Sequence, residues 1–597
     1  MAFLKAAFIK MVIDLFQASD QQIIDVARGD TPATLVIANG NVVNVYSGEI
    51  LRQNIGIYRD RIAYVGPEIK ATDNQTQIID ASDLFVAPGF IEPHAHPFML
   101  YDPNTLFASV LPLGITTMAL DNLIFYEHLE VNDLLKLIQE LHNRPPRQLW
   151  LARLLAQAEY KSMRSHYAPA NIKKLLSTPY FIGVAETTDW MRLYQGDHRL
   201  LDVIHWALNH GKVVDGHTAG ASFDKLNAVA ASGVQACHEA ITPEEVLDRL
   251  RLGFWTALRH SSLRPDLPEL LKVITTSKID TSRLMLTTDG TSPSDLYNKG
   301  FIDYLLKIAV ENGVNPITAI QMATINPAKF LRIDHIVGGI SPGKKADLVL
   351  LVSLKDFRPR SVIFDGKLVA NDNKLITQFD PIDWTRWQSK RKISVDTIRV
   401  KQYFEQQIRT HRPQLAIEFV SNVITKLRTQ NTQSHSSSDS DEKATSYIDA
   451  YLLTRDGKSI AHAKVVALMQ VPALATTITT TNDILLLGTD HSAIVLALER
   501  LLEINGGIVI ASEGRILYEL ALPLMSIGIM SNLDLPTLAK QQDLLFELLN
   551  TRFGFKYHDP TMSLFFLTCN FLPDARLNPL GLYSVRQRKV LIPAVTL

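Results

Sequence analysis

Between residues 33 and 80 short apolar runs alternate with turn residues. Thr34-Leu35-Val36-Ile37-Ala38 leads into Asn39-Gly40-Asn41, a pattern that predicts a turn, and then into Val42-Val43-Asn44-Val45. Asn54–Ile57 and Arg61–Gly66 continue a small β layer. From Leu84 to about Leu331 the texture changes to apolar strands alternating with helical segments, as in parallel α/β architecture. The first strand candidate runs into Leu84–Pro97. The others are Ile115–Leu120, Leu149–Leu154, Phe181–Ala185, Val213–Gly216, Val234–Cys237, Phe254–Ala257 and Leu284–Thr287, with helices such as Val131–Leu141 and Pro243–Leu252 between them. Eight such strands over about 250 residues have the dimensions of a TIM-type (β/α)8 barrel.

Gly338–Leu351 then reads as a tight turn into a strand, and Ser361–Val369 as a further hairpin. These strands are expected to rejoin the N-terminal ones in one small β-sandwich, with the barrel inserted between its halves. The predicted division is 1–83 with 332–375 for the sandwich and an N-terminal helix, 84–331 for the barrel, and 376–597 for a C-terminal α/β domain. In that last part, strands at Ile484–Leu487, Ile508–Ala511 and Ile516–Glu519 flank a helix at Ser492–Ile504, which Gly506-Gly507 stops. The polar stretch 428–446 reads as a disordered loop. No internal repeat is evident.

Composition narrows the class. A chain of 597 residues needs two or three domains, because single cores rarely grow beyond about 250–300 residues. A hydrophobic fraction of 46%, a charged fraction of 20% and a net charge of −1 describe an ordinary globular protein with no electrostatic footprint for nucleic acid or an anionic membrane. Met1–Gln17 is apolar but broken by Lys5 and Lys10 and followed by no small-residue cleavage motif, so it reads as an amphipathic helix and not as a targeting signal. No run elsewhere is long and apolar enough for a membrane span. Two distant cysteines, Cys237 and Cys569, exclude a disulfide framework or a thiolate-rich zinc site and suggest the cytoplasm.

The candidate chemistry lies at the strand ends, where barrels of this kind place their active sites. The first strand ends in Pro93-His94-Ala95-His96-Pro97. At i, i+2 on a strand both imidazoles share one face, whereas on a helix they would diverge by about 200°. Taken alone, the pair reads equally well as two loop histidines. The other ends carry Glu186 after the fourth strand, Asp215-Gly216-His217 after the fifth, Cys237-His238-Glu239 after the sixth and Thr288-Asp289-Gly290 after the eighth. A lone strand-end histidine is more often a hydrogen-bonding residue than a ligand. Six potential ligands (His94, His96, Glu186, His217, His238 and Asp289) at five matching positions point instead to a metal site. Oxygen and imidazole donors without thiolate suit Mn²⁺, Fe²⁺ or Zn²⁺.

Pro88-Gly89-Phe90-Ile91-Glu92-Pro93-His94-Ala95-His96 resembles the first-strand signature of the amidohydrolase superfamily. More narrowly, the chain resembles a divergent branch of the adenine deaminase family. That likeness extends through Val214-Asp215-Gly216-His217, His238-Glu239 followed by Thr242-Pro243-Glu244-Glu245, Thr287-Thr288-Asp289-Gly290, Met322–Ala328 and Pro342–Leu348. Gly488-Thr489-Asp490 through Gly506-Gly507 and Leu522-Pro523-Leu524 resemble that family's own C-terminal domain, so the likeness covers nearly the whole chain.

The resemblance implies two divalent ions, manganese or iron more than zinc. His94, His96 and Asp289 would hold one, His217 and His238 the other, and Glu186 would bridge them. It implies hydrolysis of adenine to hypoxanthine and ammonia, with Glu239 and Asp289 as proton carriers and Asp121, Arg259 and Ser262 as weaker candidates for positioning the purine. It also implies a homo-oligomer whose partner is a small molecule. Three segments depart from the family pattern. Asp121-Asn122-Leu123-Ile124 replaces Asp-Pro-His-Glu, Asp289-Gly290-Thr291-Ser292-Pro293 replaces Asp-Asp-x-His-Pro, and Thr481-Asn482-Asp483 replaces Ser-His-Asn. The ligands survive while groups that would face the purine change, so the alternatives are another amino-heterocycle, a cyclic amide, or a non-catalytic binding protein on the same fold. The cytidine-deaminase plan is excluded because no Cys-x-x-Cys occurs.

Overall fold

The computed structural model describes residues 16–157, 161–407, 415–429 and 447–597. The predicted N-terminal helix lies almost wholly outside these residues, as does most of the polar stretch 428–446; the first helix described is Asp20–Arg28, capped by Ser19.

Eight strands carry the central α/β region: Phe90–Ala95 (β1), Ile115–Asp121 (β2), Arg147–Ala152 (β3), Phe181–Val184 (β4), Val213–Val214 (β5), Ala236–Cys237 (β6), Trp255–Arg259 (β7) and Leu284–Thr287 (β8). They form two parallel sheets, in the orders β5-β4-β3-β2-β1 and β6-β7-β8. A parallel bridge from Ala95 to Asp289 joins β1 to the end of β8. Across the other gap, the Gln235 N–H donates to the Val214 carbonyl at 2.9 Å. One buried apolar cluster draws a side chain from every one of these strands, Ile91 and Met285 among them.

The strand limits differ from the predicted ones where the chain has to deliver a side chain. β5 is only two residues long. After Val214 the Asp215 N–H still donates to the Val184 carbonyl at 3.0 Å, but the Asp215 carboxylate turns back onto the Gly216 N–H at 2.8 Å and the chain leaves the ladder before His217. β7 runs two residues further than predicted and so ends on Arg259.

The flanking segments do rejoin, in a nine-stranded mixed sheet. Phe85–Pro88 is central to it, parallel to Leu35–Asn44 on one side and antiparallel to Leu348–Leu351 on the other. The predicted turn at Asn39-Gly40-Asn41 is a bulge inside one continuous strand, Leu35–Asn44. Asn39 takes a φ of 60° there with its N–H bound to Asn54 Oδ1 at 2.8 Å, and a Cβ on Gly40 would lie 2.6 Å from Val86 Cγ2. The residues that favour a tight turn equally allow a bulge, and pairing with Phe85–Pro88 selects the bulge. Gly89 alone separates the sheet strand from β1; a Cβ on it would meet Thr116 Oγ1 at 2.2 Å, which accounts for the Pro-Gly-Phe run.

A second nine-stranded sheet fills the C-terminal part, from Thr425–Thr429 at one edge to Arg515–Ala521 at the other, with the helix His491–Glu503 packed on it. This part touches the α/β region near the strand ends. Met530–Ser531 pairs in parallel with Leu100–Tyr101, Trp384 Nε1 donates to Asp102 Oδ2 at 2.8 Å, and Asn482 Nδ2 donates to Glu127 Oε2 at 2.9 Å. Among the described residues no helix is long and apolar enough to cross a membrane.

Glu92 pins the first strand to the last. Its fully buried carboxylate accepts the His94 N–H at 3.0 Å, the Thr287 hydroxyl at 2.6 Å, and the Thr288 N–H and hydroxyl at 2.9 and 2.8 Å. Replacing it leaves two main-chain donors buried without an acceptor, at about 1–3 kcal/mol each. We therefore expect Glu92→Ala to lose roughly 3 kcal/mol in urea unfolding followed by tryptophan fluorescence, and Glu92→Gln, which keeps one acceptor oxygen, to lose less.

Candidate metal centre

β1 ends in extended backbone, so His94 and His96 emerge on one side with ring centroids 5.0 Å apart. Asp289 follows β8 in a left-handed conformation (φ 56°), which turns its carboxylate towards them. Asp289 Oδ1 lies 2.9 Å from His96 Nε2 and 3.6 Å from His94 Nε2. On the other side, His238 Nε2 is 3.3 Å from Glu186 Oε2, and the His94 and His238 rings stack obliquely at 4.1 Å. Glu186 Oε1 faces back towards His96 Nε2 at 3.9 Å. His94, His96 and Asp289 thus form one group able to hold a cation, and Glu186, His217 and His238 form another.

All six predicted ligands come together. Glu239 joins them, with Oε1 3.4 Å from His217 Nε2 and 3.5 Å from His238 Nε2. Arg259 donates to both Glu239 and Asp289, the latter at 2.8 Å. Its Nε and Nη2 are buried with no hydrogen-bond partner. Asp121 lies deeper than a substrate contact would require. Its oxygens take the Leu123 N–H and the Arg153 guanidinium, and Oδ2 sits 3.2 Å from His96 Nδ1. Ser262 Oγ accepts the Ser292 N–H at 2.8 Å and so ties the loop after β7 to the loop after β8.

Other residues of the cluster were not among the predicted ones. Asp215 Oδ2 holds His94 Nδ1 at 2.7 Å, a carboxylate–histidine pair that aims the opposite nitrogen inward. Its place two residues before His217 was the signal for it. Arg153 sits at the end of β3, where a lone basic residue interrupts an apolar strand end. Arg264 reaches Glu239 Oε2 at 2.7 Å from an irregular loop, and Phe571 of the C-terminal part lies edge-on to His217 at 5.8 Å. No local pattern marks those two.

The donors fit a divalent cation. His94 Nε2, 3.6 Å from Asp289 Oδ1, is a buried ring nitrogen with no hydrogen-bond partner, while His217 and His238 turn Nε2 towards the carboxylates. Leaving His94 Nε2 so costs about 1–3 kcal/mol, which a cation would remove. The charges agree. Burial acts to raise the Glu186 and Asp289 carboxyls, but Arg153 and His238 hold Glu186, and His94, His96 and Arg259 hold Asp289, well below the usual carboxylate range. His96 and Asp289 are the most open of the six ligands, with side-chain exposures of 14 and 16%, so a small molecule reaches the cluster from their side.

Residues 85–369 match the amidohydrolase family, and residues 421–589 match the adenine deaminase C-terminal domain. A Bacillus cereus protein named “Putative adenine deaminase” is 32% identical over 578 residues, covering 96% of either chain. The chain belongs to the adenine deaminase family. Two further members that it resembles are Adenine deaminase 1 of Desulfotalea psychrophila, 30% identical over 94% of this chain and 95% of that one, and Adenine deaminase of Rubrobacter xylanophilus, 36% identical over 63% and 62%. The likeness to adenine deaminases therefore runs through the central strands and the C-terminal sheet alike.

Metal and protons compete for the same nitrogens. Burial acts to lower His96, but Asp121 and Asp289 prevail and raise it to about 9, so in the metal-free protein its imidazole is protonated at neutral pH. A metal must displace that proton. We expect Mn²⁺ affinity, followed by calorimetry, to rise from neutral pH to about pH 9, with proton release that differs between buffers of different ionisation enthalpy. His94→Ala should abolish most of this binding.

Proposed function

We propose that this chain is a hydrolytic deaminase that converts adenine and water to hypoxanthine and ammonia. The observation that carries the reading is the meeting of six ligand side chains from five strand ends, with the buried His94 Nε2 left unpartnered among them. Membership of the adenine deaminase family supplies the substrate class. In this reading the two parallel sheets form one (β/α)8 barrel, residues 84–331, and the segments 1–83 and 332–375 supply the β-sandwich, whose mixed sheet also takes in Phe85–Pro88. Residues 376–597 are the adenine-deaminase-like C-terminal domain. Two free, buried cysteines fit a cytoplasmic enzyme.

His94, His96 and Asp289 would hold one divalent ion and His217 and His238 the other, with Glu186 shared; manganese or iron suits these donors. Such ions acidify water from a pKa of 15.7 towards ~7 and so supply the nucleophile at neutral pH. The chain's residues then manage protons and position. Water oxygen adds to C6 of the ring, and its proton passes to Glu239 or Asp289, both within reach of the ligand nitrogens. Carboxylate and ring exchange protons until the 6-amino group leaves as ammonia and the 6-oxo product forms. Arg259 keeps both carboxylates ionised, and its two unpartnered N–H groups offer a hydrogen-bonding edge to the heterocycle. Phe571, beside His217, offers an aromatic wall.

The positions where the family pattern has His and Glu after β2 are filled by Leu123 and Ile124, both fully buried, and neither carries a group that could bond the ring or move a proton. A panel assay of ammonia release and of ring opening, after manganese loading, separates the readings. Turnover of adenine faster than of other amino-heterocycles supports adenine deamination. Turnover only of cyclic amides, or of none of the panel by metal-replete protein, overturns it. We expect Glu239→Gln to reduce kcat by about 10²–10⁴-fold at unchanged manganese content, which single-turnover kinetics with metal analysis would check.

A further inference from the structure

Arg153 is the most heavily engaged cation of the cluster, although its type excludes it as a ligand. It directly follows β3 and is 1% exposed. Its Nε donates to Asp121 Oδ2 at 2.6 Å, its Nη2 to Glu186 Oε1 at 2.5 Å, and its Nη1 to the Glu186 carbonyl at 3.2 Å. Its own N–H is held by Asn122 Oδ1 at 3.0 Å. One guanidinium therefore joins the ends of β2, β3 and β4.

The two carboxylates that it grips serve different halves of the cluster. Asp121 backs His96, from the His94–His96–Asp289 half, at 3.2 Å. Glu186 directs Oε2 at His238, from the other half, at 3.3 Å, while Oε1, on the guanidinium, faces His96 Nε2 at 3.9 Å. Asp121, Glu186 and His96 have donor atoms within 4.8 Å of one another. Two buried carboxylates that close repel each other, and the guanidinium between them supplies the opposing charge. A planar fork fixes both carboxylates in position as well as in charge, which the point charge of a lysine would not.

We propose that Arg153 is a positioning residue that couples the two halves of the metal centre, by holding Glu186 with one oxygen towards each half and Asp121 behind His96. This rests on the two-ion reading above. It extends that reading, because it assigns the shared geometry to a residue that touches neither ion.

The test uses the full-length chain loaded with manganese, its metal content measured after dialysis and the magnetic coupling of neighbouring Mn²⁺ ions read by electron paramagnetic resonance. Wild type is expected to hold two coupled ions. Arg153→Met is expected to lose the coupled signal and to bind its second ion about 10- to 100-fold more weakly. Arg153→Lys retains the charge and serves if the methionine variant does not fold; it is expected to fold, by circular dichroism, and still to lose most of the coupling. Either folded variant with wild-type stoichiometry and coupling overturns the proposal while leaving the two-ion reading intact. Wild type with a single uncoupled ion overturns the two-ion reading itself.

Discussion

Buried negative charge is the constraint on which this centre depends. Asp121, Glu186, Asp215, Glu239 and Asp289 all take part in one cluster of strand-end groups, out of bulk water. Carboxylates so placed are tolerated only when paired or bound to metal. Arginines answer part of the demand, Arg153 for Asp121 and Glu186 and Arg259 with Arg264 for Glu239 and Asp289. Asp215 is spent on His94. What remains is a set of inward-facing imidazole nitrogens and carboxylate oxygens whose electrostatics favour a divalent cation.

The fold meets this constraint by making each strand end a delivery point. Glu92 latches β1 to β8 and so fixes His94 relative to Asp289. Early departure of the chain from β5 carries His217 inward, and the added length of β7 places Arg259 between Glu239 and Asp289. The C-terminal part then adds a surface that the strands cannot provide, with Phe571 against His217 and Asn482 on Glu127. The candidate ligands and the aromatic surface beside them thus come from different parts of the chain, which fits a likeness to adenine deaminases that spans both.

Much of this was legible in the sequence, for a physical reason. An apolar strand that ends abruptly in His, Asp or Glu breaks its own pattern, and five such breaks at similar spacing mark out His94, His96, Glu186, His217, His238 and Asp289. Arg153 breaks the β3 pattern in the same way, but a search for ligand types passes over a guanidinium. Asn39-Gly40-Asn41 suits a turn and a bulge equally, so only the pairing of its strand decides between them. Arg264, Phe571 and the Asn482–Glu127 contact depend on which surfaces meet, and the last joins residues 355 apart, beyond any periodicity.

Whether these strand ends hold metal in two halves is read out by anomalous diffraction at the manganese edge from crystals of the metal-loaded protein. Two neighbouring peaks are expected, one among His94, His96 and Asp289 and the other among His217, His238 and Glu186. Peaks confined to other residues, or none at full manganese loading, would contradict a metal centre with two halves.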